Sequence, residues 1–263
     1  MIVGGQSFKN GTFAMAIANV TPDSFWAESR VKDDVCFKVE RAVKEGAAII
    51  DVGAQSTRPG FALVPADEEL ARLEPALTAI KRNFGVPVSV DTFYNKVAEA
   101  ALCMGADMIN DIWGLTYEKG MAETIARHNA SVCIMHNAKK PLSGDIFPQI
   151  EEFLRNSASV ALGAGIDKEK ICLDGGIGFA KDREQNLQLL QGYGRLNALG
   201  YPLLLGTSRK SLFGGDVRDR LPATVESTKK AVRDGVLFVR VHDVAPNVKA
   251  IEEEYEKLKN KRA

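Results

Sequence analysis

Apolar stretches of strand length alternate with amphipathic stretches of helix length along most of the chain. The apolar stretches are continuous instead of alternating with polar residues, which is typical of strands buried on both faces of a parallel sheet. Eight of them predict β-strands: Phe13–Val20, Ala48–Gly53, Val86–Val90, Met108–Ile112, Ser131–Met135, Ile171–Leu173, Pro202–Leu205 and Leu237–Val241.

The amphipathic stretches between the strands predict the connecting helices. Asp33 is the expected N-cap of a helix that ends at Lys44, and Pro65 precedes a long helix that ends before Gly85. The later helices are predicted near Lys96–Met104, Lys119–His128, Ile150–Leu162, Arg183–Leu199, Ala223–Arg233 and Ala245–Lys259.

Eight strand–helix units favour an α/β fold, a single-domain (β/α)8 TIM barrel over residues 1–263. Residues 1–12 are expected to form either a hairpin that closes the barrel bottom or a frayed arm. A doubly wound open sheet is the structural alternative. It normally has a glycine-rich nucleotide turn after the first strand, whereas here that strand continues as Asn19-Val20-Thr21.

Charge and cysteine content exclude several classes of function. The 34 basic and 34 acidic residues cancel without forming a basic block, which argues against a nucleic-acid or membrane partner. With neither a signal-peptide pattern nor an apolar run of about 18 residues, we expect a cytoplasmic protein. The four cysteines form no CxxC pair, and Cys133 and Cys172 are expected to be core residues.

Polar residues follow or end every predicted strand, and catalytic residues of such barrels gather at the C-terminal strand ends. Alternation along a strand predicts that Ser208 and Lys210 share a face opposite Arg209, and that Arg240 and His242 share one. These cations predict an anion site at the last two strands. The alternative is a structural network in which Lys210 and Arg240 pair with acidic side chains. The complete set is Asn19, Asp51, Asp91, Asn110 with Asp111, His136, Asp174, Ser208 with Lys210, and Arg240 with His242.

Carboxylates and a carboxamide on other strands suit a nitrogen heterocycle. Asp91 and Asp174 can each accept two parallel N–H bonds, and the amide of Asn110 both donates and accepts. A hard cation such as magnesium is expected on these acids only with help from a phosphate. Zinc is disfavoured because no clustered His or Cys motif is present.

These residues lie in ordered motifs that span nearly the whole chain. The motifs closely resemble those of the dihydropteroate synthases, a branch of the pterin-binding enzymes. They are Ile17–Phe25, Asp51–Gly60, Val88–Thr92, Ile109–Asp111, Met135-His136, Leu173–Phe179, Gly206–Ser211 and Arg240–Val244.

The resemblance implies a transferase of folate biosynthesis and a sulfonamide target. It would join 6-hydroxymethyl-7,8-dihydropterin diphosphate to 4-aminobenzoate and release pyrophosphate, with Mg²⁺ on the diphosphate and a homodimer as the assembly. By the family pattern, the pterin residues would be Asp91, Asn110, Asp174, Lys210 and Phe179; the diphosphate residues Asn19, Arg58, Arg240 and His242; and the aminobenzoate residues Thr57, Phe179 and Ser211. Lys210, Arg240, His242 and Arg58 would be catalytic, and Asn19 would bind the metal.

The chain departs from the family pattern at four places, two of which are Ala54 in place of a glycine and Ala18 in place of a bulky apolar residue. The loop Asp23–Arg30 lacks the usual glycines, and Gly175 replaces the usual proline, which is expected to loosen the turn beside Asp174.

A methyltetrahydrofolate:corrinoid methyltransferase-like enzyme is the nearest alternative function, although such an enzyme has no diphosphate to expel. A non-catalytic pterin-binding protein and, more weakly, a Schiff-base aldolase using Lys210 are the others. Loops after Phe25 and from Ser56 to Val64 are expected to close over the substrates.

Overall fold

The computed structural model describes residues 1–20, 28–55 and 63–261. The strands in these ranges are β1 (Ile2–Val3), β2 (Gln6–Ser7), β3 (Phe13–Asn19), β4 (Ile49–Gly53), β5 (Val88–Asp91), β6 (Met108–Asp111), β7 (Ser131–Met135), β8 (Ile171–Asp174), β9 (Leu204–Leu205) and β10 (Phe238–Val241). The helices are α1 (Glu28–Lys44), α2 (Ala66–Asn83), α3 (Asn95–Cys103), α4 (Met121–Arg127), α5 (Ile146–Gly163), α6 (Arg183–Gln191), α7 (Leu221–Arg233) and α8 (Val244–Asn260).

The strands from β3 to β10 form one closed parallel sheet. Their order is β8-β7-β6-β5-β4-β3-β10-β9, and every neighbouring pair is parallel. A parallel bridge between Leu173 of β8 and Leu203, just before β9, joins the two edges. Because a helix follows each strand, the predicted (β/α)8 barrel is confirmed.

The N-terminal residues close the bottom of the barrel as a hairpin. β1 and β2 pair antiparallel, and Met1, Val3 and Phe8 are buried among residues from the start of the barrel strands. The Phe8 ring meets the Phe238 ring edge-on at 5.3 Å. Of the two expectations for residues 1–12, the structure therefore shows the hairpin. Cys133 and Cys172 are core residues, as the sequence predicts, and lie in the same apolar layer. The barrel residues of this layer are Met15, Ile49, Met108, Cys133, Cys172, Leu204, Leu237 and Phe238.

Two helices show the largest differences from their predicted bounds. α1 begins at Glu28, five residues before the expected cap at Asp33. The predicted helix over Arg183–Leu199 ends at Gln191 and continues after Gly192 as a 3₁₀ helix. A Cβ at Gly192 would lie 2.5 Å from the Phe147 ring, so only glycine permits this close approach.

The barrel interior changes from apolar to polar along the strands. In β3, Ala14, Ala16 and Ala18 face the surrounding helices, while Met15 faces the bottom of the interior. At the C-terminal strand ends the buried interior residues are instead polar, and include Asp51, Asp91, Asn110 and Asp174. In the described ranges no helix is both long and apolar enough to cross a membrane.

Candidate active site

A half-buried arginine connects two buried carboxylates at the mouth of the barrel. From β10, Arg240 donates through Nε to Asp51 Oδ2 at 2.5 Å and through Nη2 to Asp91 Oδ2 at 2.6 Å. The other oxygens of both carboxylates are buried without a hydrogen bond in the described part of the chain. The pairing of Arg240 with acidic side chains is one half of the structural network that the sequence analysis gave as the alternative to an anion site. The network includes Asp51, to which the sequence assigned no role.

Burial sets the protonation of this group. Burial raises the pKa of Asp91 to about 7, although the charge of Arg240 opposes the shift. Burial also opposes the charge of Arg240, but Asp51 and Asp91 together raise the pKa of the guanidinium. Since one cation faces two carboxylates, the group has room for one more hydrogen-bond donor or cation. Asn110 supplies a long contact, with Nδ2 3.4 Å from Asp51 Oδ2.

Asp111, which follows Asn110 at the end of β6, has a structural role. Its two oxygens accept hydrogen bonds from the backbone N–H groups of Trp113 and Leu115, each at 2.8 Å. Burial raises the pKa of Asp111 to about 6. The carboxylate therefore fixes the turn after β6 and is not available to a ligand.

Asp174 is held through one oxygen and leaves the other open. Oδ1 accepts from the Gly176 N–H at 2.8 Å and lies 2.9 Å from Tyr193 Oη. Oδ2 makes no hydrogen bond within the described ranges. This oxygen and Lys210 Nζ both lie 3.9 Å from the position that a Cβ on Gly206 would occupy. The missing side chain at Gly206 thus leaves space between an open carboxylate oxygen and an ammonium.

Lys210 is directed into the site by a turn and not by strand alternation. β9 ends at Leu205, and the Lys210 N–H donates to the Thr207 carbonyl at 3.1 Å, while Arg209 has a φ of 56°. The premise of a strand through Ser208 and Lys210 was therefore wrong. Lys210 Nζ donates to the Ile177 carbonyl and lies 4.9 Å from the Phe179 ring centroid. Burial lowers the pKa of Lys210 to about 8.

The two other basic positions at this end have separate partners. Arg209 lies outside the site, where it forms a two-point ion pair with Asp243, at 2.5 and 3.0 Å. His242 follows β10, and its Nδ1 is 2.9 Å from Ser208 Oγ. Ser208 thereby links the two strand ends that the sequence assigned to an anion site.

The remaining predicted site residues are less enclosed or lie outside the described ranges. Asn19 is exposed at the end of β3, with Oδ1 3.3 Å from where a Cβ on Gly53 would sit. Ser211 is exposed at the start of a 3₁₀ turn. Thr57 and Arg58 lie outside the described residues, as do residues 21–27 and 56–62 of the two loops expected to close.

Among the described residues at the barrel mouth, Asn19 offers the exposed neutral oxygen that best fits magnesium on a phosphate. Among the described residues, no three carboxylate, His or Cys groups at this end of the barrel converge within metal-binding distance. The exposed amide oxygen of Asn19 makes no hydrogen bond in that part of the chain, and a neutral oxygen suits a hard cation that is carried mainly by phosphate. The aspartates of the described residues therefore do not converge as a three-carboxylate metal site.

Sequence reasoning missed two supporting residues, Tyr193 and Lys181. Tyr193 Oη accepts from the Gly175 N–H at 2.9 Å while it contacts Asp174. A proline at position 175 has no N–H to donate, so the departure at Gly175 gives this turn an additional hydrogen bond. Nothing in the sequence pattern marks Tyr193, because it lies 19 residues after Asp174 in a segment that predicts only helix.

Lys181 ties the turn after β8 to the end of β7. Its Nζ contacts His136 Nδ1 at 3.0 Å, the Gly176 carbonyl at 3.0 Å and the Phe179 carbonyl at 2.9 Å. Burial lowers the pKa of Lys181 to about 7, and burial with the nearby Lys181 charge lowers that of His136 to about 3. The imidazole is therefore neutral and accepts at Nδ1, and Lys181 holds the turn that carries Phe179.

Comparison with known families gives one consistent result. The profile of a family described as pterin binding enzyme matches residues 15–242. Among curated proteins, the dihydropteroate synthase of Clostridium beijerinckii is 44% identical over 259 residues, which is 95% of this chain and 96% of that protein.

Solved structures agree with the sequence relatives. The dihydropteroate synthase of Clostridium difficile, determined in the presence of pteroic acid, superposes with a TM-score of 0.92 at 43% identity over 95% of this chain and 98% of that one. The enzyme from Xanthomonas albilineans with 4-aminobenzoic acid has a TM-score of 0.89 at 35% identity, over 95% and 94%. The Yersinia pestis enzyme in complex with a sulfonamide drug has a TM-score of 0.91 at 32% identity, over 98% and 99%.

Proposed function

The chain belongs to the pterin-binding enzyme family and acts as a dihydropteroate synthase, and from this premise we propose how its residues divide the reaction. Its substrates are 6-hydroxymethyl-7,8-dihydropterin diphosphate and 4-aminobenzoate, and its products 7,8-dihydropteroate and pyrophosphate. One observation carries the assignment of roles: the open oxygen of Asp174 and the ammonium of Lys210 border the space left by Gly206.

The pterin ring occupies this space. Asp174 Oδ2 accepts from the N–H groups of the aminopyrimidine edge, and Lys210 donates to an acceptor of the ring. Asp91 and Asn110, which are partners in the register of β5 and β6, contact a second ring edge. The raised pKa of Asp174, caused first by burial, falls again when ring N–H groups donate to the carboxylate.

Arg240 exchanges one partner when substrate binds. Its Nε stays on Asp51, while N–H groups of the pterin replace Nη2 as the donor to Asp91. The released Nη2 then faces the diphosphate, whose charge exceeds that of a single carboxylate. The buried carboxylates therefore keep the cation in place before substrate arrives, which avoids reorganisation during the reaction.

The remaining diphosphate contacts are assigned by the family resemblance together with position. His242, supported by Ser208, lies two residues after Arg240, just beyond the end of β10, and Arg58 and Asn19 complete the set. Asn19 would also hold Mg²⁺, which neutralises charge on the leaving diphosphate when it is bound. Together these groups stabilise the departing anion, commonly the largest single contribution to a reaction of this type.

The amine needs orientation and no strong base. The amino group of 4-aminobenzoate is an unprotonated nucleophile near neutral pH, so Phe179, Ser211 and Thr57 serve to place it beside the exocyclic methylene. The C–O bond breaks with its electron pair leaving on the diphosphate, and the pterin ring delocalises the cation on the methylene. The amine lone pair then forms the C–N bond, and the extra amine proton passes to solvent.

Pyrophosphate release tests this function and separates it from its alternatives. The protein is mixed with the pterin diphosphate, with and without 4-aminobenzoate, and pyrophosphate and dihydropteroate are quantified. Release of both products that depends on 4-aminobenzoate supports the function. Pterin binding without turnover would indicate a non-catalytic binder, and methyl transfer from methyltetrahydrofolate to a corrinoid would indicate the methyltransferase branch.

We further infer sulfonamide sensitivity, a homodimer and a cytoplasmic location. The sulfonamide complex of the Yersinia pestis relative supports the first, because a sulfonamide would compete with 4-aminobenzoate. Sulfonamide inhibition that is relieved by added 4-aminobenzoate would support the first inference. A molar mass in solution twice the 28.6 kDa of the chain would support the homodimer, and cell fractionation tests the location.

A further inference from the structure

A cysteine, a histidine and a glutamate converge on the outside of the barrel, away from the active site. Glu99 and Cys103 lie one turn apart on α3, and His128 directly follows α4. Glu99 Oε1 is 3.0 Å from His128 Nε2, Cys103 Sγ is 4.0 Å from the same nitrogen, and Sγ is 3.9 Å from Oε1. Within the described ranges this is the one group of three such ligand atoms close enough to share a metal ion.

From this geometry we propose that Glu99, Cys103 and His128 form a binding site for a borderline-soft divalent transition metal, with Zn²⁺ as the best fit. Tetrahedral zinc with ordinary bond lengths places such sulfur, nitrogen and oxygen ligands about 3.4–3.6 Å from one another. The three measured separations lie within about half an ångström of these values, so small side-chain rotations bring the atoms into place. Solvent supplies the fourth ligand, because the Cys103 side chain is exposed.

The neighbouring arginine orients the carboxylate for this role. Arg127 Nη2 donates to Glu99 Oε2, which leaves Oε1 directed at His128. A metal-bound carboxylate is usually held in this way through its second oxygen.

The choice of metal follows from the ligand types. Thiolate and imidazole favour zinc and its neighbours over magnesium, which prefers oxygen ligands alone. Binding forms a metal–sulfur bond, and the Cys103 thiol releases its proton to solvent. The site joins the C-terminal ends of two adjacent helices, which lie toward the barrel bottom, so metal binding there stabilises the fold and takes no part in the reaction at the mouth.

Cobalt titration tests the proposal, since Co²⁺ occupies zinc sites and reports its ligands by absorption. The full-length protein is freed of metal by a chelator and titrated with Co²⁺. We expect one ion per chain with intense tetrahedral visible bands and a thiolate-to-cobalt charge-transfer band, displaced by Zn²⁺ and not by excess Mg²⁺. Weak octahedral-type bands without charge transfer, or displacement by Mg²⁺, would overturn the proposal.

Three variants make the test specific. Cys103→Ser should abolish the charge-transfer band, and His128→Gln should weaken Co²⁺ binding by roughly 10-fold or more. Cys36→Ser, at another thiol that is not buried, is the matched control and should bind like the wild type. All three should keep the dihydropteroate synthase activity and the metal-free melting temperature. A charge-transfer band that survives in Cys103→Ser, or is lost in Cys36→Ser, contradicts the assignment.

Discussion

Arg240 and Asp91 form an ion pair across the mouth of the barrel, with Nη2 2.6 Å from Oδ2. The residues belong to β10 and β5, and two further strands, β3 and β4, lie between them in the sheet. A residue assigned to the diphosphate is thus joined to a residue assigned to the pterin. On the proposed roles, binding of the pterin should therefore be coupled to the position of the cation that faces the diphosphate.

Replacing Arg240 by methionine should damage both catalysis and stability. Turnover is expected to fall by about 10²–10³, the usual effect of removing one charge-stabilising donor. The free energy of unfolding should fall by about 3–5 kcal/mol, because two buried carboxylates lose their cation. Steady-state kinetics and urea unfolding measure the two effects.

Arg209, the residue before Lys210, provides the control for that experiment. Arg209→Met removes only an ion pair that is partly exposed, so activity should persist and stability should change by at most about 1 kcal/mol. Near-native turnover in Arg240→Met would remove this residue from the mechanism.

Activity should decline at alkaline pH as Lys210 loses its proton. Its pKa is lowered to about 8, so the ammonium that we propose contacts the pterin is present below this pH and is lost as the pH rises through it. The kcat/KM for the pterin diphosphate, which reports the free enzyme, should follow that loss. In Lys210→Arg the cation persists, and the alkaline limb should move to higher pH. An unmoved limb would assign it to another group.

Tyr193→Phe should weaken pterin binding without touching the ligand. The hydroxyl contacts Asp174 and accepts from the Gly175 N–H, so its removal takes one contact from Asp174 and leaves the buried Gly175 N–H without a partner. The expected loss of unfolding free energy is about 1–3 kcal/mol. Tyr201→Phe is the control, because the hydroxyl of Tyr201 makes no hydrogen bond in the described ranges. Calorimetric pterin affinity equal in both variants would argue against a positioning role.

Lys181→Met should raise KM for 4-aminobenzoate more than it lowers kcat. The lysine holds the turn that carries Phe179, and loss of one or two net hydrogen bonds at about 1 kcal/mol each corresponds to roughly a tenfold change. Lys170→Met is the matched control. Lys170 also binds a loop carbonyl, that of Asn129 at 2.9 Å, but before β7 and β8 at the opposite end of the barrel. A similar rise in KM in both variants would indicate a general loss of structure.

Gly176→Ala should lower the free energy of unfolding far more than Gly144→Ala, although the two glycines have φ values of 71° and 70°. A Cβ at Gly176 would lie 1.9 Å from the His136 carbonyl, whereas a Cβ at Gly144 meets nothing within 4 Å. Both variants carry a backbone strain of about 1–2 kcal/mol. The clash at Gly176 should add at least about 1–3 kcal/mol and displace the N–H that binds Asp174. Equal melting temperatures would contradict this prediction.

The sequence by itself determined the repeating strand–helix order, the polar strand ends and the family. These features are encoded locally: continuous apolar runs specify strands buried on both faces, and the motifs lie on contiguous residues. Lys210 shows the limit of such reasoning. Its placement in the site was predicted from strand alternation, but the strand ends at Leu205 and a turn directs the side chain.

Only the tertiary structure decided which of these residues meet. Asp51 gained its role when barrel closure brought Arg240 beside it, 189 positions away in sequence. Tyr193 supports Asp174, and Cys103 approaches His128, because helices pack on particular strands and on each other. Such contacts depend on how the chain closes in three dimensions, and no local pattern of hydrophobic and polar residues records them.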